Sequence, residues 1–209
     1  MRVRAGLRRC RAVLYRAADR FAAALGFGHL VEDDVRVTGE VRVATHDVGD
    51  LREAAQDRGR EWDAMSDDER LALAREVEPA HTTRTENTTV EDLHERLVDV
   101  YDPDQATNPG EASHLAVGDD DTNPTTGDSA LGNEVYRTPI TGSEDQGRDL
   151  STTTFLSTSE ANGYTLREVG LTTDSAANAW ILLNHALISP EVKNDEKTLT
   201  IDVILKIRA

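Results

Sequence analysis

Asp119, Asp121 and Asn123 stand at alternate positions in Asp119-Asp120-Asp121-Thr122-Asn123, the spacing of the first three oxygen ligands of a calcium loop. Such a loop needs glycine at its sixth position to turn and a bidentate glutamate at its twelfth; here these are Pro124 and Ala130. The run therefore reads as a solvated acidic loop, and no metal ion is assigned to it. His29, His46, His81, His94, His114 and His185 are scattered. None stands three or four residues from another histidine or from Cys10, so no zinc-binding spacing is present. His46-Asp47 and Arg167-Glu168 place titratable groups side by side. With 30% charged residues such neighbours arise by chance, and no nucleophile is positioned beside them. There is no G-x-S-x-G elbow, no Walker loop and no dinucleotide-binding G-x-G-x-x-G; Gly26-Phe27-Gly28 is too short and follows a helical pattern. The reading is of a protein that binds rather than catalyses, with no catalytic residues and no cofactor.

The charge distribution says more. The 209 residues carry 39 acidic against 23 basic side chains, a net charge of −16, and the only lysines are Lys193, Lys197 and Lys206. Acid excess combined with scarce lysine resembles proteins that work in concentrated salt, where a carboxylate-rich surface stays hydrated although charges are screened within a few ångströms. Residues 1–25 run the other way. Seven arginines against one aspartate give them a local charge of +6 and leave −22 on the remainder. Val3, Leu7, Cys10, Leu14, Ala17, Phe21 and Leu25 recur at helical spacing, which predicts a basic amphipathic arm over residues 1–30. Arg4, Arg8, Arg9, Arg11, Arg16, Arg20 and Phe21 are its candidate contact residues. Nucleic acid, an acidic membrane surface and an acidic protein are the possible partners. Salt weakens phosphate contacts steeply and the apolar face is half alanine, so protein docking is preferred to nucleic acid or membrane. Packing on the arm's own chain is the plain alternative.

Aromatic residues make up only 4%, so the core must be aliphatic and modest, of the kind often completed by oligomerisation. A single cysteine excludes an intrachain disulfide. No apolar run is long enough to span a membrane, and the start makes a poor signal peptide, so the chain is expected to be soluble and unprocessed.

The elements that must position any binding residues follow from periodicity. Val-Arg-Val-Thr-Gly-Glu-Val-Arg-Val at 35–43 alternates strictly around Thr38-Gly39, as a β-hairpin or one long strand would. Leu51, Ala54, Ala55, Arg58, Trp62 and Met65 fit one face of a helix starting near Asp50, with Trp62 as a core anchor. Ser66 and Glu69 form a capping box that opens a second helix closed by Pro79; residues 81–89 read as a loop; Thr88 and Glu91 cap a third helix. Turn chemistry at Asp102-Pro103 to Pro109-Gly110 marks a boundary. Beyond it, alternating Thr, Val, Ile and Leu predict strands at 112–118, 133–140, 150–157, 164–171, 179–188 and 197–207. The expected class is thus α+β, a helical N-terminal region followed by an antiparallel β-sandwich. Its divisions are the arm at 1–30, a β-hairpin plus helical region at 31–110, and the sandwich at 111–209.

Ala112-Ser113-His114-Leu115-Ala116-Val117-Gly118, a spacer, Asp128-Ser129-Ala130-Leu131-Gly132-Asn133-Glu134-Val135-Tyr136-Arg137 and then Leu166-Arg167-Glu168-Val169-Gly170-Leu171 succeed one another in the C-terminal half. This resembles a domain of structural proteins of tailed viruses, including tail-fibre and collar proteins. The likeness covers roughly half the chain and departs after Leu171, where Thr172-Thr173-Asp174 and Trp180-Ile181-Leu182-Leu183 follow. With the salt-adapted composition, it implies a virion structural protein of a haloarchaeal tailed virus. Such a protein would contact copies of itself and other virion proteins in a fibre, baseplate or collar, or as a turret or decoration on the head. Glu134, Arg137, Arg167 and Glu168 can pair across strands or across a subunit interface. A regulator that binds DNA or a partner through the arginine arm is the competing reading from another class; a small hydrolase lacks its nucleophile–base set.

Overall fold

The computed structural model describes residues 36–93, 112–145, 147–173 and 181–208. Residues 35–43 do not form a hairpin. A single strand, β1 (Arg36–Asp47), runs through Thr38-Gly39 because its pairing with β2 (His81–Thr89) continues unbroken from Gly39↔Asn87 to Thr45↔His81. Val41 and Val43 turn into the core while Glu40 and Arg42 point to the other face. The segment 81–89, expected to be a loop, is therefore a strand. Its alternation is between half-buried Thr83 and Thr85 and exposed Thr82, Arg84 and Glu86, and β-branched threonine suits a pleated surface.

Between β1 and β2 lie α1 (Val48–Asp57), a 3-10 turn (Trp62–Ala64) and α2 (Asp67–Ala74). The predicted long helix stops early because Gly59 takes φ +68°, which breaks the helical backbone. The Ser66 capping box forms as expected, with Glu69 N–H donating to Ser66 Oγ and Ser66 N–H to Glu69 Oε2. Trp62 anchors these short helices with Leu51, Leu71 and Leu73 on Phe155, and the Arg70 guanidinium lies 5.3 Å from its ring centroid. The third helix begins at residues 91–93; the rest of it, the boundary at 102–110 and the basic arm lie outside the described residues.

The remaining strands are β3 (Ala112–Gly118), β4 (Glu134–Pro139), β5 (Gly142–Asp145), β6 (Asp149–Leu156), β7 (Thr165–Thr173), β8 (Ile181–Leu182), β9 (Asn184–Val192) and β10 (Lys197–Arg208). They hydrogen-bond in the order β4-β3-β7-β9-β2-β1-β10-β6-β5, with β8 beside β7. This corrects the expected α+β class. Among the described residues the protein is mostly strand, with no separate helical region ahead of a sandwich. β1 and β2 sit in the middle of the sheet, and the two α-helices are an insertion packed on its outer surface. Nor are there two separate facing sheets. The ends of the strand order are one stretch of chain, because only Ile140 and Thr141 separate β4 from β5. Ile140 N–H donates to Ser113 O at 2.9 Å, and the next residue, Thr141, donates to Thr153 O at 2.8 Å. Successive residues bond to opposite neighbours, so the antiparallel sheet curls until it closes on itself there.

The core fills the inside of the curl. Leu199, Ile201, Val203 and Leu205 of β10 meet Leu115 and Val117 of β3, Val169 and Leu171 of β7, and Ala186 and Ile188 of β9. The polar outer side of β10 is not left to solvent either. Instead Thr198 and Thr200 are buried, Thr200 lying opposite Phe155, whose ring belongs to the helix-covered cluster.

Candidate functional site

The polar centre of the molecule lies where the loop 119–133, joining β3 to β4, folds over the outside of β7 and β9. Leu131 supplies the apolar contact, packing with Val90, Ala116 and Leu182. Beside it, the Glu168 side chain is 1% exposed. Its Oε1 accepts from Asn133 N–H at 2.8 Å, and its Oε2 from Gly132 N–H at 2.9 Å and from His185 Nε2 at 2.8 Å. The other ring nitrogen, His185 Nδ1, is 2.8 Å from Asp128 Oδ2. Asp128 in turn accepts from Thr125 N–H and the Thr125 hydroxyl, at 2.9 and 2.6 Å. Asp119 and Asp120, the residues of the calcium-like run, serve the same loop: Asn133 Nδ2 donates to Asp119 Oδ1 and Thr122 N–H to Asp120 Oδ1, both at 2.6 Å.

These contacts define what the site can do. The His185 ring is held through both of its nitrogens between the carboxyl groups of Asp128 and Glu168. Burial works to raise the Asp128 carboxyl, but the hydrogen bonds from Thr125 and His185 outweigh it and hold Asp128 below the usual carboxylate range. With neither ring nitrogen free, His185 has no position from which to take a substrate proton. The arrangement is a clasp that fastens a long loop to the sheet.

Gly118, at the end of β3, makes the clasp possible by close approach. A Cβ there would stand 2.2 Å from Glu168 Oε1 and 2.5 Å from Asn133 O. Backbone oxygen cannot yield as a flexible side chain can, so Gly118→Ala is expected to destabilise the protein by about 2–3 kcal/mol. Thermal unfolding of the variant checks this; a melting point within a degree of the parent's would show that the loop has room.

The candidate contact residues fall in different places. Glu168 is inside the clasp and has no surface to offer a partner. Arg167 is partly exposed, its NH1 3.8 Å from Asp121 Oδ2. Glu134 and Arg137 pair with each other on β4, Arg137 Nε donating to Glu134 Oε1 at 2.8 Å. Arg4, Arg8, Arg9, Arg11, Arg16, Arg20 and Phe21 lie outside the described residues. Sequence reasoning missed His185 as the link between Glu168 and Asp128, since it lies 17 positions from the first and 57 from the second along the chain.

Two further polar clusters support the fold. Glu40 is buried on the outer face of β1. Desolvation would raise its pKa, but hydrogen bonds from Arg42, Lys206 and Arg84 keep it lowered. Glu160 accepts from Tyr136 Oη at 2.9 Å, Thr138 Oγ1 at 3.3 Å and Ser157 N–H at 2.7 Å, and here too hydrogen bonding outweighs burial and lowers the pKa. Close by, Lys193 is fully buried, with Nζ donating to Asn162 Oδ1 and Asn194 O, both at 2.9 Å. Burial pushes its ammonium down to about 8, against the opposing pull of Glu160 and Asp195.

No helix among the described residues is long and apolar enough to cross a membrane. Comparison of the chain with family models, curated proteins and solved structures returns no match.

Proposed function

We propose that this chain is a virion structural protein of a haloarchaeal tailed virus, occupying a repeated position in the tail and docking onto copies of itself and neighbouring virion proteins. One observation carries the reading. The segments that resemble virus structural proteins, Asp128–Arg137 and Leu166–Leu171, are fastened to each other by Glu168 and, through His185, by Asp128. A resemblance in two stretches about thirty residues apart thus corresponds to one folded unit, whose polar groups serve mechanical attachment. The acid-rich, lysine-poor composition supports a salt-adapted host, and the closed sheet suits a rigid building block.

The test is mass spectrometry and immunogold labelling of density-purified particles from a culture whose genome encodes the chain. Abundant peptides with label on tails are the expected result. Label on heads would reassign the protein to a turret or decoration. Absence from particles overturns the proposal, and salt-sensitive duplex-DNA binding in that case would favour the regulator reading.

A further inference from the structure

Lys193 is a fully buried amine held against the amide of Asn162. It follows β9, and the turn between β6 and β7 folds onto it. Two backbone bonds fix the turn there: Gly163 N–H donates to Lys193 O at 2.9 Å, and Lys193 N–H to Tyr164 O at 3.0 Å. The Lys193 Nζ stands 2.9 Å from both Asn162 Oδ1 and Asn194 O. An ammonium has three hydrogens to donate, and among the described residues these two acceptors are the ones it meets. A neutral amine is satisfied by two and keeps a lone pair, which makes it a nucleophile. Its pKa of about 8 agrees with that state. Asn162 is held from the other side, Nδ2 donating to Thr158 O at 2.7 Å. The residue before it, Ala161, is buried in the core at φ 53°, a left-handed conformation that costs a non-glycine residue energy. That strain presents the Asn162 side chain to the amine. An amide carbon lies about 1.2 Å from its oxygen, so Asn162 Cγ is no more than about 4 Å from Nζ. Rotation about the soft χ2 torsion of Asn162 turns its face to the lone pair.

We propose that Lys193 and Asn162 react with each other to form an intramolecular isopeptide bond. The neutral Nζ attacks Asn162 Cγ, forming the new C–N bond, and the Cγ–Nδ2 bond breaks. One Nζ hydrogen passes to Nδ2, which leaves as ammonia, so an amine and a primary amide become a secondary amide with no oxidant or reductant. Asn162 is exposed, so solvent carries that proton and takes up the ammonia. The familiar competing reaction of an Asn-Gly pair, cyclisation onto the next backbone nitrogen, is hindered because Gly163 N–H is committed to Lys193 O. Glu160 and Asp195 are the anions whose charges act on the amine, and both favour the ammonium, so the step is slow near neutrality. Until the bond forms Lys193 titrates as a free amine, which is its state in freshly prepared chain. The bond would tie the β6–β7 turn to the β9–β10 connection, 31 positions apart, just beyond the Thr165↔Val192 pair of β7 and β9. The inference stands whether or not the protein belongs to a virion.

The test follows the intact mass of the folded, full-length chain during incubation at pH 7 and at pH 9. The mass should fall by one ammonia, about tenfold faster at pH 9, where most of the amine is neutral. Trypsin then locates the bond, because it cuts after Arg148, Arg167 and Lys197 but not after an acylated Lys193. The linked chain should yield peptide 149–167 joined to peptide 168–197 as one branched species. Asn162→Ala, at an exposed position, should keep the parent's fold by circular dichroism and lose the branched peptide. Lys193→Met should lose it too. A parent whose mass does not change over weeks at pH 9 while it remains folded overturns the proposal. So does a loss of ammonia that persists in Lys193→Met, which would mark cyclisation of Asn162 onto its own backbone, or conversion of Asn162 to aspartate without a branched peptide.

Discussion

Glu168→Ala is expected to lower stability by about 3–5 kcal/mol, the range for stranding three buried hydrogen-bond partners at about 1–3 kcal/mol each with some relaxation. The change strands the amide hydrogens of Gly132 and Asn133 and leaves the buried His185 facing one carboxylate instead of two. For a domain of this size the melting temperature should fall by roughly 10 °C. The loop 119–133 should also become the preferred site of proteolytic cleavage, because its polar attachment to β7 is gone and only Leu131, the Asp128–His185 bond and the Glu91 N–H bond to Thr126 O still hold it. Glu168→Gln tests the charge separately from the shape: it keeps one acceptor oxygen and should fall between the parent and the alanine variant. Combined with His185→Ala in a double-mutant cycle, the pair should show a coupling of about 1–3 kcal/mol. Because the network is buried, the loss should persist in concentrated salt, whereas the exposed Arg167–Asp121 pair should contribute nothing measurable there. An alanine variant within 1 kcal/mol of the parent would show that the loop is held by its apolar contact.

The second large effect is a rise in stability with alkaline pH. Lys193 titrates at about 8 in the folded chain against about 10.4 when unfolded. Between those values the unfolded chain binds more protons than the folded one, so unfolding becomes less favourable as pH rises. The penalty for holding a buried ammonium is fully present below pH 8 and is relieved above it. Denaturant titrations from pH 7.5 to 9.5 should therefore show a gain of order 2 kcal/mol, which Lys193→Met should abolish. The window stops below 10 because Tyr136 has its pKa raised by burial and by its bond to Glu160. Above 10 the unfolded chain loses phenolic protons that the folded chain keeps, and stability falls. A parent whose stability is flat across the window would mean that the Lys193 ammonium is solvated as well in the fold as in water.

Much of the β architecture could be read from the chain. β3 has the expected bounds, and Ser66 caps a helix because a short-range rule suffices for it. β2 was unreadable for a physical reason. Periodicity is detected through contrast between apolar and polar residues, and β2 alternates one set of polar side chains with another. Its strand state comes from pairing with β1, which begins 45 positions earlier in the chain. The clasp was half legible: Leu166–Leu171 and Asp128–Arg137 stood out as a pair of signatures, yet Glu168 read as a surface partner for arginine. Simple alternation fails along β7 because its register shifts between Leu166 and Glu168, so it told neither which face Glu168 occupies nor that a loop covers it.

The sequence by itself determined the local and compositional properties: strand-forming runs, a capped helix, an acidic surface, a basic segment at 1–25 and the absence of recognised catalytic spacings. Each depends on neighbours within a turn or a strand, or on bulk charge. Only the tertiary structure decided that β1 and β2 enter the middle of the sheet, that β4 and β5 close it, and that His185 joins Asp128 to Glu168. Those outcomes rest on contacts between residues tens of positions apart, where the free energy of burying one face against another outweighs the propensities of either segment alone.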